Sequence, residues 1–323
     1  MTEHARIVVG FDGSPCSTQA VNWALIDAAR RGAQVLLCHV AGGRGAIGEG
    51  DDPVGTSGGE TLARGTDYAR QRAPSVDVVP TLLFGNPARQ LIEAASGAVL
   101  LVVGMRGNGG FHELRLGSVS AQAARHAHCT VVVVAEGGGH EDRRRQVVVG
   151  VDGSASSDLA LAFAFDQAAR RQAELRAIHV FDGSTIQIMA NLPQADVRRL
   201  HVNAADTLHE LLGRHAQDNP GVLVSSAVLS GAPATTLTSA AADAELLVLG
   251  SRGHGDVATL MLGSTSHTVL HNATCPVAVV RGGRPFAFAQ PTSWSQPERS
   301  APGAGIDTAT AVADVAIPRK RML

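Results

Sequence analysis

Two glycine-rich runs mark where this chain can do chemistry. Gly104-x2-Gly107-x9-Gly117-Ser118 follows the apolar run Leu100-Leu101-Val102-Val103, and Gly250-x2-Gly253-x9-Gly263-Ser264 follows Leu246-Leu247-Val248-Leu249. A glycine lets backbone approach a ligand with no Cβ in between. A Gly-Ser that opens a helix presents unpaired N–H groups and the positive end of the helix dipole, which suits a phosphate. The hydroxyls of Ser118 and Ser120, and of Ser264 and Ser266, add donors. The same glycines would also serve a tight strand-to-helix turn without a ligand. What favours a ligand is the repetition, each time after a buried-type strand and before a helix start. Asp12 and Asp152 end the Val/Ile runs that open each half. They are placed to accept hydrogen bonds from an adenine or a ribose, or to cap the following helix through Asp-Gly-Ser.

No catalytic constellation accompanies these loops. There is no Gly-Lys-Ser/Thr phosphate loop, and neither copy holds a lysine to meet a γ-phosphate. The 13 histidines are scattered. His39 and His179 sit at strand ends and read as packed side chains, while His254 lies beside the second loop. Efficient ATP hydrolysis wants an identifiable base and metal carboxylate, and only Asp12 and Asp152 offer metal-side acids. The expectation is a binder rather than an enzyme, with slow ATP hydrolysis as the enzymatic alternative. A nucleotide-free interaction module and a cAMP binder are the others.

The elements that must position these residues repeat. Ile7-Val8-Val9-Gly10-Phe11-Asp12-Gly13-Ser14 returns 140 residues on as Val147-Val148-Val149-Gly150-Val151-Asp152-Gly153-Ser154, and Cys38-His39-Val40 returns as Ile178-His179-Val180. Gly85-Asn86-Pro87-Ala88 and Gly104 return 146 residues on, at Gly231-Ala232-Pro233-Ala234 and Gly250. The second copy therefore gains six residues between Val180 and Gly231. The first copy reads as strands at 6–12, 34–40, 76–83, 99–104 and 130–135, with helices at 16–31, 59–72, 87–96 and 118–127. Continuous Val/Ile/Leu strands belong to parallel sheets covered on both faces. The fold class is α/β: two doubly wound, Rossmann-like, five-stranded parallel-sheet domains in tandem. They are expected at 1–136 and 146–282, with a linker at 137–145. A disordered, Pro/Ser/Ala/Thr-rich tail is expected at 283–323.

Composition agrees with this organisation. The 323 residues are 45% hydrophobic, 17% charged and 3% aromatic, with a formal net charge of −2, which gives no sign of a nucleic-acid partner. The four isolated cysteines make no disulfide framework or zinc motif. No apolar run is long enough to span a bilayer, and the polar N-terminus leads straight into a strand, so a cytoplasmic protein is expected.

These residues resemble the universal stress protein family over both copies. The resemblance rests on Val-Gly-x-Asp-Gly-Ser, the His-Val strand end, the G-x2-G-x9-G-S loop and the closing Cys275-Pro276-Val277-x-Val279-Val280. That loop marks the ATP-binding members, so the resemblance implies bound ATP, with magnesium as an accompanying ion. It implies adenine and ribose contacts at Asp12, Val40 and Gly104, and phosphate contacts at Gly107, Gly117, Ser118, Val119 and Ser120. In the second copy the matching positions are Asp152, Val180, Gly250, Gly253, Gly263, Ser264, Thr265 and Ser266. It further implies strand order 3-2-1-4-5, an internal pseudo-dimer through the fifth strands with a further homodimer as an option, and regulatory protein partners in the stress response. The first loop departs from the pattern at Met105, Asn108 and Phe111-His112-Glu113. Glu113 would repel a phosphate, and Arg106 and Arg115 would offset it. Cys129 is followed by Thr130 where the family has proline.

Overall fold

The computed structural model describes residues 5–42, 53–108, 115–136, 144–253 and 262–281. The first copy runs β1 (Arg6–Gly10), α1 (Pro15–Arg31), β2 (Gln34–Ala41), α2 (Pro53–Arg72), β3 (Val78–Phe84), α3 (Pro87–Ala94), β4 (Leu100–Gly104), α4 (Ser118–His126) and β5 (Thr130–Val134). The second runs β6 (Arg144–Gly150), α5 (Ala155–Arg171), β7 (Glu174–Phe181), α6 (Gly183–Met189) and α7 (Gln194–Ala216). It continues through β8 (Val224–Ser230), α8 (Pro233–Ala240), β9 (Ala244–Gly250), α9 (Ser264–Asn272) and β10 (Val277–Val280). The six extra residues fall between β7 and β8, where a pair of helices, α6 and α7, makes the crossover. The anticipated tail at 283–323, and residues 137–143 of the anticipated linker, lie outside the described residues.

The helix ends follow from local chemistry. Ser14 caps α1 by accepting the Ser17 N–H, Pro15 occupies the first turn, and Gly32 closes the helix in the left-handed region at φ 63°. In α5, Ser154 caps in the same way, but the left-handed position falls to Gln172 at φ 51°, a conformation a side chain resists. β1 stops at Gly10, two residues short of the expected strand end. Asp12 turns the chain there by accepting the Ser14 N–H at 3.0 Å, and Gly13 takes φ 80°.

The strands form one ten-stranded sheet in the order β3-β2-β1-β4-β5-β10-β9-β6-β7-β8. Each half is parallel and has the expected 3-2-1-4-5 order, while β5 and β10 pair antiparallel. Their register sets Val132 opposite Ala278, Val133 opposite Val277 and Val131 opposite Val279. Position 278 is the 146-offset equivalent of 132, so a pseudo-two-fold axis passes between this central pair. Alternate residues of each strand feed two cores, one on each face. Ile7, Val9, Leu100 and Val102 join Val147, Val149, Leu246 and Val248 under α1, α2, α5 and α7. Val8, Leu101 and Val103 join Val148, Leu247 and Leu249 under α3, α4, α8 and α9. Both cores run through both copies, so apolar burial, the main driving term of folding, ties the copies together. Among the described residues no helix is long and apolar enough to cross a membrane.

Candidate functional site

In each copy the glycine loop leaves the C-terminal end of the fourth strand beside the first, where strand order reverses. This is where doubly wound sheets place small-molecule sites. The loop is anchored on the fifth strand: Met105 N–H donates to Val134 C=O at 2.7 Å, and Ser251 N–H to Val280 C=O at 2.9 Å. It then returns to the helix start, where Gly117 N–H donates to Met105 C=O and Gly263 N–H to Ser251 C=O, both at 2.8 Å.

Gly117 and Gly263 are the N-caps of α4 and α9, and neither helix has a side-chain cap. At α1, α3, α5 and α6, Ser14, Asn86, Ser154 and Asp182 spend a side-chain oxygen on this task, while α7 and α8 follow Pro193 and Ala232 and have no side-chain cap either. The intrahelical ladder starts with Ala121 N–H on Gly117 C=O and His267 N–H on Gly263 C=O. The N–H groups of Ser118, Val119 and Ser120, and of Ser264, Thr265 and Ser266, are thus the first-turn donors without intrahelical acceptors. Ser118 and Ser264 are exposed, and Val119 and Thr265 half-buried.

Ser120 and Ser266 are buried, and their hydroxyls face inward. Ser120 Oγ donates to Met105 C=O or Gly117 C=O, both at 2.9 Å, and Ser266 Oγ donates to Gly250 C=O at 2.7 Å. Their hydroxyl protons bind the loop to the helix, so what these residues can offer outward is the backbone N–H.

The glycines divide by what a Cβ would meet. At Gly104 it would lie 2.7 Å from the Cys16 carbonyl carbon and 2.8 Å from the Ser17 nitrogen; at Gly250, 2.5 Å from Ser156 Oγ and 2.8 Å from Ser156 carbonyl carbon. These two let the first helix of each copy seat against the sheet edge. At Gly107 and Gly253 a Cβ would strike the carboxylates of Asp12 and Asp152. The loop therefore packs directly on the aspartates.

Asp12 accepts the Ser14 N–H on Oδ1 at 3.0 Å and the Asn108 N–H on Oδ2 at 2.9 Å, while Asn108 Nδ2 donates to Asp12 C=O at 2.7 Å. Burial alone would raise the Asp12 pKa, but the hydrogen bonds from Ser14, Asn108 and Ser17 outweigh it and hold the carboxyl below its ordinary value. Asp152 is exposed and accepts the Ser154 N–H at 2.9 Å. Both aspartates thus make the Asx turn that the sequence left as an alternative to ligand binding, and each carboxylate oxygen has a second lone pair. Asn108, visible in the sequence only as a departure from a pattern, is the residue that closes this loop.

Val40 and Val180 lie near the ends of β2 and β7, next to His39 and His179. The histidines donate Nδ1–H to Phe11 C=O at 2.8 Å and to Val151 C=O at 2.9 Å, since a carbonyl only accepts. They tie strand ends together, as packed residues do. Arg106 pairs with Glu136 at 2.9 Å, both half-exposed, and Arg115 donates to Asn272 Oδ1 of the second copy at 3.4 Å. Phe111-His112-Glu113 and His254 lie outside the described residues.

The universal stress protein family matches residues 4–135 and again 143–281. A universal stress protein of Mycobacterium bovis is 33% identical over 292 residues, covering 85% of this chain and 96% of its own. One of Mycobacterium tuberculosis is 32% identical over 299 residues, with the same coverage. The crystal structure of a universal stress protein from Archaeoglobus fulgidus superposes with a TM-score of 0.63 at 23% identity, covering 86% of this chain and 97% of that one, which supports the tandem fold. With two matches that together span most of its length, this chain belongs to the universal stress protein family.

Proposed function

We propose that each copy holds an adenine nucleotide, ATP in the first instance, and that the chain is a nucleotide-dependent regulator in the stress response, acting through protein partners. The observation that carries this reading is the uncapped start of α4 and of α9. Two helices open with glycine, present three backbone N–H groups each, and do so where a doubly wound sheet exposes its ligand edge. The residues fit the group at this level. A phosphate would take the N–H groups of Ser118, Val119 and Ser120, or of Ser264, Thr265 and Ser266. Gly117 and Gly263 keep the approach clear, with Gly107 and Gly253 lining the rim. The base and ribose would lie toward Asp12, Val40 and Gly104, or Asp152, Val180 and Gly250. Asp12 receives hydrogen bonds on both oxygens, so any magnesium ion would be held mainly by phosphate and water.

A second reading is a nucleotide-free interaction module. It is favoured by Gly104 and Gly250, whose lack of a Cβ is already required by the neighbouring helix backbone. The test is to purify the full chain, release small molecules with acid and identify them by mass. ATP and cAMP are then titrated into wild type, Gly117→Val/Ser118→Leu and Gly263→Val/Ser264→Leu. The nucleotide reading expects two sites in wild type and one in each variant, and competition separates ATP from cAMP. No carried nucleotide and no binding to wild type would leave the interaction module standing. Turnover of ATP that falls in Asp152→Asn would instead point to the hydrolase.

A further inference from the structure

The face where α1 meets α5 carries a buried polar cluster that the nucleotide reading does not use. Asp27 is wholly buried, and the side chains of Arg31 and Arg171 are 5% and 0% exposed. Arg31 donates through Nε to Asp27 at 2.5 Å and, across the copies, through Nη2 to Asp166 at 2.8 Å. Gln167 Nε2 donates to Asp27 Oδ1 at 3.0 Å, and Arg171 lies 3.7 Å from the same oxygen. Arg171 also donates to Gln167 Oε1 at 2.9 Å and to Glu245 at 3.3 Å, and its guanidinium sits 4.8 Å from the centroid of the Trp23 ring.

This cluster breaks the symmetry that the backbone keeps. By the repeat offsets, Asp27 corresponds to Gln167, Ile26 to Asp166, and Val99 to Glu245. If two first copies met across the same axis, Asp27 would face Asp27 with no amide between them. Arg31 would then face Ile26 instead of Asp166. Burial raises the Asp27 pKa, but Arg31 and Arg171 more than compensate and hold it below the ordinary carboxylate value. Two such carboxylates in contact are costly to bury, and each Arg31 would keep its own Asp27 but lose the second carboxylate that Asp166 supplies.

We infer that this surface is a keyed interface: the first copy's α1 face accepts the second copy's α5 face and rejects another first copy. Asp27, Arg31, Asp166 and Gln167 form the key. Buried polar residues that fix pairing at some cost in stability have precedent in helical assemblies. The inference stands whether or not nucleotide binds.

The test uses the full chain. Asp27→Gln strips two arginines of their shared anion, and Gln167→Asp adds a second buried carboxylate. Each is expected to lower the folding equilibrium constant, read by urea unfolding, roughly a hundredfold or more. The exchange Asp27→Gln/Gln167→Asp restores one amide and one carboxylate at the axis and should return to within about tenfold of wild type, by the non-additivity of contacting residues. An exchange variant as unstable as the two single changes combined would overturn the key. Partner choice is read separately through Val132→Cys, because two first copies paired on this axis would bring their 132 positions together. Refolded at high concentration and oxidised, that variant should yield no dimer linked through position 132. With Asp27→Gln/Arg31→Met added, which neutralises the face, the linked dimer should appear, identified by peptide mass. A linked dimer with the key intact, or none after its removal, would also overturn the proposal.

Discussion

The two copies place the same backbone at the sheet edge and differ in what they put around it. In the first, Asp12 is half-buried and Asn108 locks the loop onto it through both its amides. In the second, Asp152 is exposed, and the loop that packs on it reads Ser251-Arg252-Gly253. The helix starts match residue for residue in exposure, from Gly117 to Ser120 and from Gly263 to Ser266. Duplication has preserved the parts fixed by backbone geometry, namely glycine where a helix must seat and an uncapped first turn. Side chains at the rim and at the seam between copies were free to diverge, and did.

Equal damage at equivalent glycines is the strongest check on this comparison. Gly104→Ala and Gly250→Ala each push a Cβ into helix backbone, and each should cost about 2–3 kcal/mol in urea unfolding, as overpacking does. If one is tolerated, the two helices do not seat alike. The C-caps of α1 and α5 sharpen the contrast at a smaller scale. Gln172→Gly removes the left-handed penalty and should add about 1 kcal/mol, whereas Gly32→Gln should lose a similar amount. A thermal melt that moves in the same direction for both would contradict the assigned backbone. The smallest effect is expected at Asp12. Its pKa lies below the ordinary 3.8 when folded. It therefore contributes stability that is present above about pH 3.8 and lost as the pH falls through the lower folded value. Asp12→Asn should flatten that acid limb of the stability curve, and an unchanged limb would mean that the hydrogen bonds from Ser14 and Asn108 are not formed in solution.

Much of this was legible in the residues. Strand positions came from uninterrupted Val/Ile/Leu runs, a cap for α1 from the Asp12-Gly13-Ser14 run, and the duplication from landmarks such as Asp12 and Asp152. The join of β5 and β10 followed from the family resemblance rather than from spacing, and the coordinates add that it is antiparallel. Three features needed coordinates. Ser120 and Ser266 were expected to offer hydroxyls outward, but the nearest acceptors are the loop carbonyls of Met105 and Gly250, and no spacing reveals that. Asp27 sits at a position that could equally lie on a solvated face, and only the neighbouring copy makes it a buried one. The α6–α7 pair was legible only as six extra residues, because an insertion announces its length but not its shape.

The antiparallel junction of β5 and β10 has a consequence for reach. All parallel strands of the first copy end at one edge of the sheet, and those of the second end at the opposite edge. The two glycine-loop rims therefore face away from each other along the strand direction. A flat surface laid against one rim leaves the other open. The spacing between the two rims is set by a rigid sheet rather than by a flexible tether.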